Sequence, residues 1–197
     1  MKKYISIALS IFFISLCLIS CKKETANEIA PKNLTEGQKE IVNLLSTNNQ
    51  EILLFEYKTE QEYKDVEVWV ETYEKGILLN SLTGVKSSNL EKRPLDAQLA
   101  VTINQNPNFE WRFTVLNSDG IAVSGTFEQD DSDYEFARGF GPIDDAVTIE
   151  SGKEIVLYVS FFSNGELRMY EDFQRYAEQP ELLKEYDYAQ ILKCRFN

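Results

Sequence analysis

Apolar and polar residues alternate with a period of two over much of this chain, and this period constrains the fold more than any other feature. The alternation is clear at residues 66–70, 99–103, 109–115 and 121–127. Successive side chains of a strand point to opposite faces, so each run predicts a strand with one buried face. The turn sequences Asn-Pro-Asn and Ser-Asp-Gly separate the later runs. We therefore expect antiparallel strands joined by tight turns.

Two further segments complete the predicted β structure. Residues 155–162 are apolar at both odd and even positions, which is typical of a strand covered on both faces. Residues 188–196 form the last alternating run. Arg138-Gly-Phe-Gly-Pro, with two glycines and a proline, is predicted to be a bend. The count is about eight or nine strands. We expect a mainly β fold, an antiparallel β-sandwich that forms a single domain over residues 35–197.

Two short helical segments are predicted beside the strands. Thr35 and Gln38 have the spacing of a capping box, and Ile41, Leu44 and Leu45 fall on one helical stripe. We expect an N-terminal helix over residues 36–47 whose apolar stripe docks on the domain. Residues 170–186, interrupted by Pro180, are predicted to form one or two helical turns before the last strand.

The first 20 residues have the composition of an export signal. Lys2 and Lys3 precede an uncharged, mostly apolar run over residues 4–20. Leu18-Ile19-Ser20-Cys21 then resembles the lipobox of bacterial lipoproteins. That resemblance implies cleavage of a signal peptide over residues 1–20, lipid on Cys21, and a place on the extracytoplasmic side of a cell membrane. A retained apolar helix is the alternative.

Composition restricts what the remaining chain can do. Residues 22–34 carry few apolar groups, and we expect residues 21–34 to form a lipidated N-terminus and flexible tether. Without the first 20 residues, 18 basic and 32 acidic side chains leave a formal charge of −14, which excludes nucleic acid as a partner. The chain contains no histidine, so catalytic triads and histidine-ligated zinc sites are excluded. We expect no cofactor.

Two groups of residues are candidate sites. Trp69 and Tyr73 lie on the same face of their predicted strand as Glu67 and Glu71. If that face is open, the two rings would form an aromatic platform for a sugar or a peptide. A helix covering them as a second core layer is the alternative. The acidic residues Asp130, Asp131, Asp133 and Glu135 could bind calcium, although the glycine of an EF-hand loop is missing; a solvated hairpin loop explains the same residues.

Several stretches of the mature chain resemble uncharacterised lipoproteins of Gram-positive bacteria. They are Val66-Glu-Val-Trp-Val-Glu, Leu99-Ala-Val-Thr-Ile-Asn-Gln-Asn-Pro and Glu185-Tyr-Asp-Tyr-Ala-Gln-Ile-Leu-Lys-Cys. We expect a lipid-anchored, non-catalytic module that binds a protein, peptide or glycan of the cell envelope. Two alternatives stay open: a hydrolase of envelope polymers that uses a carboxylate pair, and a calcium-stabilised adhesive domain.

Overall fold

The computed structural model describes residues 27–46, 50–88, 95–104, 109–117, 122–129 and 137–197. Eleven strands in this part of the chain form two antiparallel sheets. Sheet A has six strands in the order β7-β6-β5-β2-β1-β9, and sheet B has five in the order β4-β3-β11-β10-β8. The predicted mainly β sandwich is confirmed, with more strands than the eight or nine expected.

The strands have the following bounds: β1 Asn27–Pro31, β2 Gln50–Thr59, β3 Asp65–Glu74, β4 Ile77–Ser88, β5 Leu95–Asn104, β6 Phe109–Asn117, β7 Ala122–Gln129, β8 Ala137–Pro142, β9 Val147–Thr148, β10 Glu154–Ser163 and β11 Tyr188–Phe196. The helices are α1 Glu36–Leu45, α2 Arg175–Glu178 and a 3₁₀ helix over Pro180–Glu185. The predicted last strand and both predicted helical segments are therefore present.

Strand register defines two ends of the sandwich. Asn27 at the start of β1 pairs with Thr59 at the end of β2, and β2 leads directly to the start of β3; we call this the lower end. The upper end carries the start of β2, helix α1 and the β3–β4 turn at Lys75 and Gly76. A strand of ten residues spans about 33 Å, which separates the two ends.

The main core lies between the sheets and is rich in aromatic residues. Trp111 and Phe113 of β6 stack at 6.3 Å between ring centroids, and Tyr57 of β2 meets the Phe196 ring of β11 edge-on at 5.3 Å. Trp111, Phe113 and Phe196 are completely buried. The period-two alternation of the sequence therefore places one side of each of these strands in a common interior.

A second apolar cluster covers the outer face of sheet B. Phe161 of β10 stacks on Tyr186 at 3.9 Å, and Tyr176 of α2 and Leu183 of the 3₁₀ helix are buried against the same face. Strand β10 is consequently buried on both faces from Ile155 to Phe162, as its sequence predicts. The helical segment before the last strand is thus a structural cover for sheet B.

Two segments that the sequence predicts to lie outside the strands are strands in the structure. Asn27–Pro31 does not belong to a flexible tether: it is strand β1, paired with β2 and β9, with Ile29 buried in the core. The predicted bend at residues 138–142 belongs to β8, which pairs with β10. Gly139 allows close packing there, because a Cβ at this position would collide with the Leu167 side chain.

Candidate functional site

Helix α1 exposes the apolar stripe that the sequence predicts to be docked. The capping box is present: the Thr35 hydroxyl accepts a bond from the Gln38 amide N–H, and the Gln38 side chain accepts one from the Thr35 amide N–H. The helix buries none of its residues, however, and Ile41, Leu44 and Leu45 are 58%, 85% and 67% exposed. The predicted docking on the domain is therefore wrong. We call these three residues the α1 surface.

The upper end carries a second group of exposed apolar residues. Ile77, Leu78 and Leu79 begin edge strand β4 and are all exposed. The turn before them is held in place, because Lys75 donates its backbone N–H to the Asp187 carbonyl at 3.1 Å. Gly76, with φ of 78°, packs so closely on Lys184 that a Cβ there would lie 2.5 Å from its Cγ. The exposed residues are thus attached to a rigid hairpin.

A cleft of about 720 Å³ opens where the chain crosses from sheet B to sheet A. Residues 143–146, which connect β8 to β9, and β9 itself form one wall, and residues 171–174 form the other. The side-chain amide of Gln174 accepts a bond from the Val156 N–H at 3.0 Å and donates one to the Val156 carbonyl at 2.8 Å. This amide replaces the strand pairing that β10 loses where β8 ends, and so fixes the second wall.

The lining of the cleft is acidic. Asp144 and Asp145 belong to the first of these segments and Glu171 and Asp172 to the second, and the lining also includes the apolar residue Phe173. No basic side chain lines the cleft, and none of the four carboxylates forms an ion pair with a residue that the structure describes. The two pairs of acids are 27 positions apart in sequence and line the same cleft only because of the fold.

Trp69 and Tyr73 lie on the outer face of sheet B, and they are 5% and 8% exposed. An open aromatic platform would need both rings accessible, and Tyr73 instead packs into the second cluster with Tyr176 and Leu183. The polar atoms of both rings form hydrogen bonds within the protein. Trp69 Nε1 donates to Glu71 Oε1 at 3.0 Å, and the Tyr73 hydroxyl donates to Glu71 Oε2 at 2.6 Å. The two residues are therefore part of a buried network centred on Glu71.

The positive partner of this network is Lys193 on the neighbouring strand β11. Its Nζ lies 2.6 Å from Glu71 Oε2 and 3.0 Å from Glu154 Oε2. Burial raises the pKa of the Glu71 carboxyl, but the hydrogen bonds from Lys193, Tyr73 and Trp69 outweigh burial and hold the pKa below its usual value. Glu71 is thus ionised and fully bonded, which is the arrangement of a structural ion pair.

The pKa of a second carboxyl group is shifted in the opposite direction, upward. Glu51 of β2 accepts a bond from the Tyr158 hydroxyl at 2.8 Å, beside the guanidinium of Arg138. Burial raises the pKa of Glu51 above its usual value despite the Tyr158 bond and the Arg138 charge, both of which lower it. This contact links sheet A to sheet B near the upper end.

One comparison with known proteins decides the family. The profile described as the YgaN domain matches residues 28–196, which is most of the chain. The chain belongs to the YgaN domain family. The YgaN domain begins inside β1, so this strand is part of the family's matched region and the boundary predicted at residue 35 is too late for the fold.

Searches of curated proteins and of solved structures found no match to this YgaN domain protein. Its other predicted site residues, Cys21 and the acidic group Asp130, Asp131, Asp133 and Glu135, lie outside the described residues. Among the residues that are described, no three potential metal ligands are grouped to hold an ion. No helix within those ranges is long and apolar enough to cross a membrane.

Proposed function

We propose that this YgaN domain protein is a lipid-anchored binding module of the cell envelope, and that a partner docks on the α1 surface. The observation that carries the proposal is a helix of ten residues with no buried side chain and an apolar stripe whose three residues are all more than half exposed. Isolated helices shorter than about 12 to 15 residues are marginal in water. A partner that buries Ile41, Leu44 and Leu45 would stabilise a helix that buries none of its residues in the isolated domain.

The proposed anchor gives this surface its orientation. Cys21 precedes Asn27 by six residues, which reach at most about 21 Å when extended. Lipid on Cys21 therefore keeps the lower end of the sandwich near the bilayer, on the extracytoplasmic side. The α1 surface lies at the upper end and can face other envelope components. Anchoring also raises the local concentration of the protein, so a weak docking contact is sufficient there.

Cross-linking in intact cells, followed by capture of the lipidated protein, tests the docking site. The variant Leu44→Asp with Leu45→Asp should lose a cross-linked partner that the unmodified protein retains. Leu116→Asp is the matched control, because Leu116 is an exposed leucine on β6 near the lower end. Equal recovery of the partner with both variants would refute the α1 surface as the docking site.

The anchor is tested separately. Cys21→Ser should leave an uncleaved precursor without lipid, and the mass of the purified protein reports both changes. An unchanged mass together with unchanged membrane retention would contradict lipidation at Cys21.

The acidic cleft favours a second candidate function, the hydrolysis of envelope polymers by a carboxylate pair. Glycoside hydrolysis needs two carboxyl groups about 5 to 10 Å apart on either side of the scissile bond, and acids from two separate segments of the chain line the cleft. Incubating the purified domain with envelope polymer and measuring released reducing sugar tests this function. Release that Asp145→Asn and Glu171→Gln both abolish would support it, and release that neither variant changes would exclude these acids.

A further inference from the structure

A small apolar groove lies directly beside the N-terminus of α1. It has a volume of about 170 Å³ and is lined by the segment that leads into α1, by the first half of β2 and by the end of β8. Its apolar lining residues are Pro31, Leu34, Ile52, Leu53, Leu54, Phe55 and Pro142. Leu34 immediately precedes the helix cap Thr35, so the groove lies at the start of α1, and the α1 surface begins seven residues further along the chain at Ile41.

The volume of the groove sets the size of its occupant. An apolar cavity of about 150 Å³ holds one benzene molecule. The groove therefore accommodates one phenyl ring or one large aliphatic side chain, and it is too small for a whole peptide. Interfaces obtain much of their free energy from single anchor side chains that fill such sites beside a flatter contact surface.

One charged residue lines this groove, and it is basic. Lys32 is partly buried, its backbone N–H is bonded to the Leu54 carbonyl at 2.8 Å, and it forms no ion pair with any residue in the described part of the chain. The chain around it is strongly acidic, with a formal charge of −12. The nearest carboxylate in strand register is Glu56, which pairs with Ala30 and does not line the groove. A carboxylate beside an apolar group thus complements Lys32.

We infer that the groove takes one apolar anchor side chain of the partner, and that Lys32 selects an anchor with a carboxylate next to it. The inference rests on the proposed function, since it names the chemistry of the partner that docks on the adjoining α1 surface. The partner segment therefore carries an aromatic or large aliphatic residue followed by an acidic residue or by a C-terminal carboxylate.

Three fragments of one shape and different charge test the groove without any knowledge of the partner. They are 3-phenylpropionate, 3-phenylpropanol and 3-phenylpropylammonium, titrated into a soluble chain that begins at Lys22 and so lacks the signal peptide and Cys21, with methyl groups observed by NMR. The methyl signals of Leu34, Ile52 and Leu54 should shift. Because exposed ion pairs are weak, the carboxylate should bind about threefold more tightly than the alcohol, and the ammonium more weakly than both.

Variants separate the apolar and charged contributions. Lys32→Gln should remove the preference for the carboxylate while leaving the affinity for the alcohol unchanged. Lys58→Gln removes a lysine from the lower part of β2, away from the groove, and should preserve the preference. Absence of methyl shifts at millimolar fragment would overturn the groove as a binding site, and equal binding of the three fragments would overturn the role of Lys32. Both results leave the cross-linking test of the α1 surface unaffected.

Discussion

Replacing Lys193 by methionine should destabilise this protein more than removing the charge of its partner. Lys193 is buried and its ammonium contacts both Glu71 and Glu154. The methionine variant leaves Glu71 buried without a cation. Removing one member of a buried ion pair costs about 3 to 5 kcal/mol, which is a large part of a typical domain stability of about 5 to 15 kcal/mol.

Removing the charge of Glu71 should lower the free energy of unfolding by less, because Lys193 and the residue at position 71 both keep other hydrogen-bond partners. In Glu71→Gln, Lys193 keeps Glu154 at 3.0 Å, and the glutamine oxygen still accepts a bond from Trp69 or Tyr73. We expect a loss of about 1 to 2 kcal/mol, the cost of one impaired buried hydrogen bond. The double variant should be more stable than Lys193→Met alone, because no charge is then left buried without a partner.

Urea unfolding of a soluble chain that begins at Lys22 measures all three variants. The free energies of unfolding should fall in the order Glu71→Gln, double variant, Lys193→Met, with the last one lowest. The reasoning is refuted if Lys193→Met costs less than about 1 kcal/mol, or if the two single variants cost the same.

Three further predictions follow from burial and charge. Leu183→Ala should lower the free energy of unfolding by about 2 to 5 kcal/mol, whereas Leu44→Ala should change it by less than about 0.5 kcal/mol, because Leu183 is completely buried and Leu44 is exposed. Glu51 has a raised pKa in the folded state, so its contribution to stability is present at low pH and is lost as pH rises through that pKa; Glu51→Gln should remove this loss in urea titrations at pH 4 to 7. Burial raises the pKa of the Cys194 thiol and seals it from solvent, so a thiol reagent should label it only after unfolding, and rapid labelling of the folded protein would contradict its placement.

The sequence predicts the sandwich because the pattern that identifies each strand lies within a short stretch of the chain. A continuous apolar run is sufficient to identify β10, alternation over nine residues identifies β11, and the Thr35 capping box is sufficient to start α1. The sequence does not identify strand β1, because Ile29 is its one buried residue and follows Glu28 shortly before Pro31. The same pattern occurs in a solvated tether, and only pairing with β2 and β9 distinguishes the two.

The candidate sites were harder to predict, for two physical reasons. A helical stripe at residues 41–45 shows that a face is apolar, but it does not show whether the domain or another molecule covers it. The acidic cleft joins residues 144–145 to residues 171–172, and neither pair is unusual by itself. The alternation of the sequence predicts that Trp69 and Tyr73 lie on the same strand face as carboxylates. It does not reveal the cation that pairs with Glu71, because Lys193 is distant in sequence.

Amide hydrogen exchange of α1 tests the account most directly. In the isolated soluble protein, the amides of Glu36–Leu45 should exchange rapidly, because the helix is short and buries none of its residues. In envelope preparations that contain the lipidated protein, the same amides should become protected while those of β10 stay unchanged. Strong protection in the isolated protein, or none in the envelope, would contradict the proposal that α1 is the docking surface of a partner.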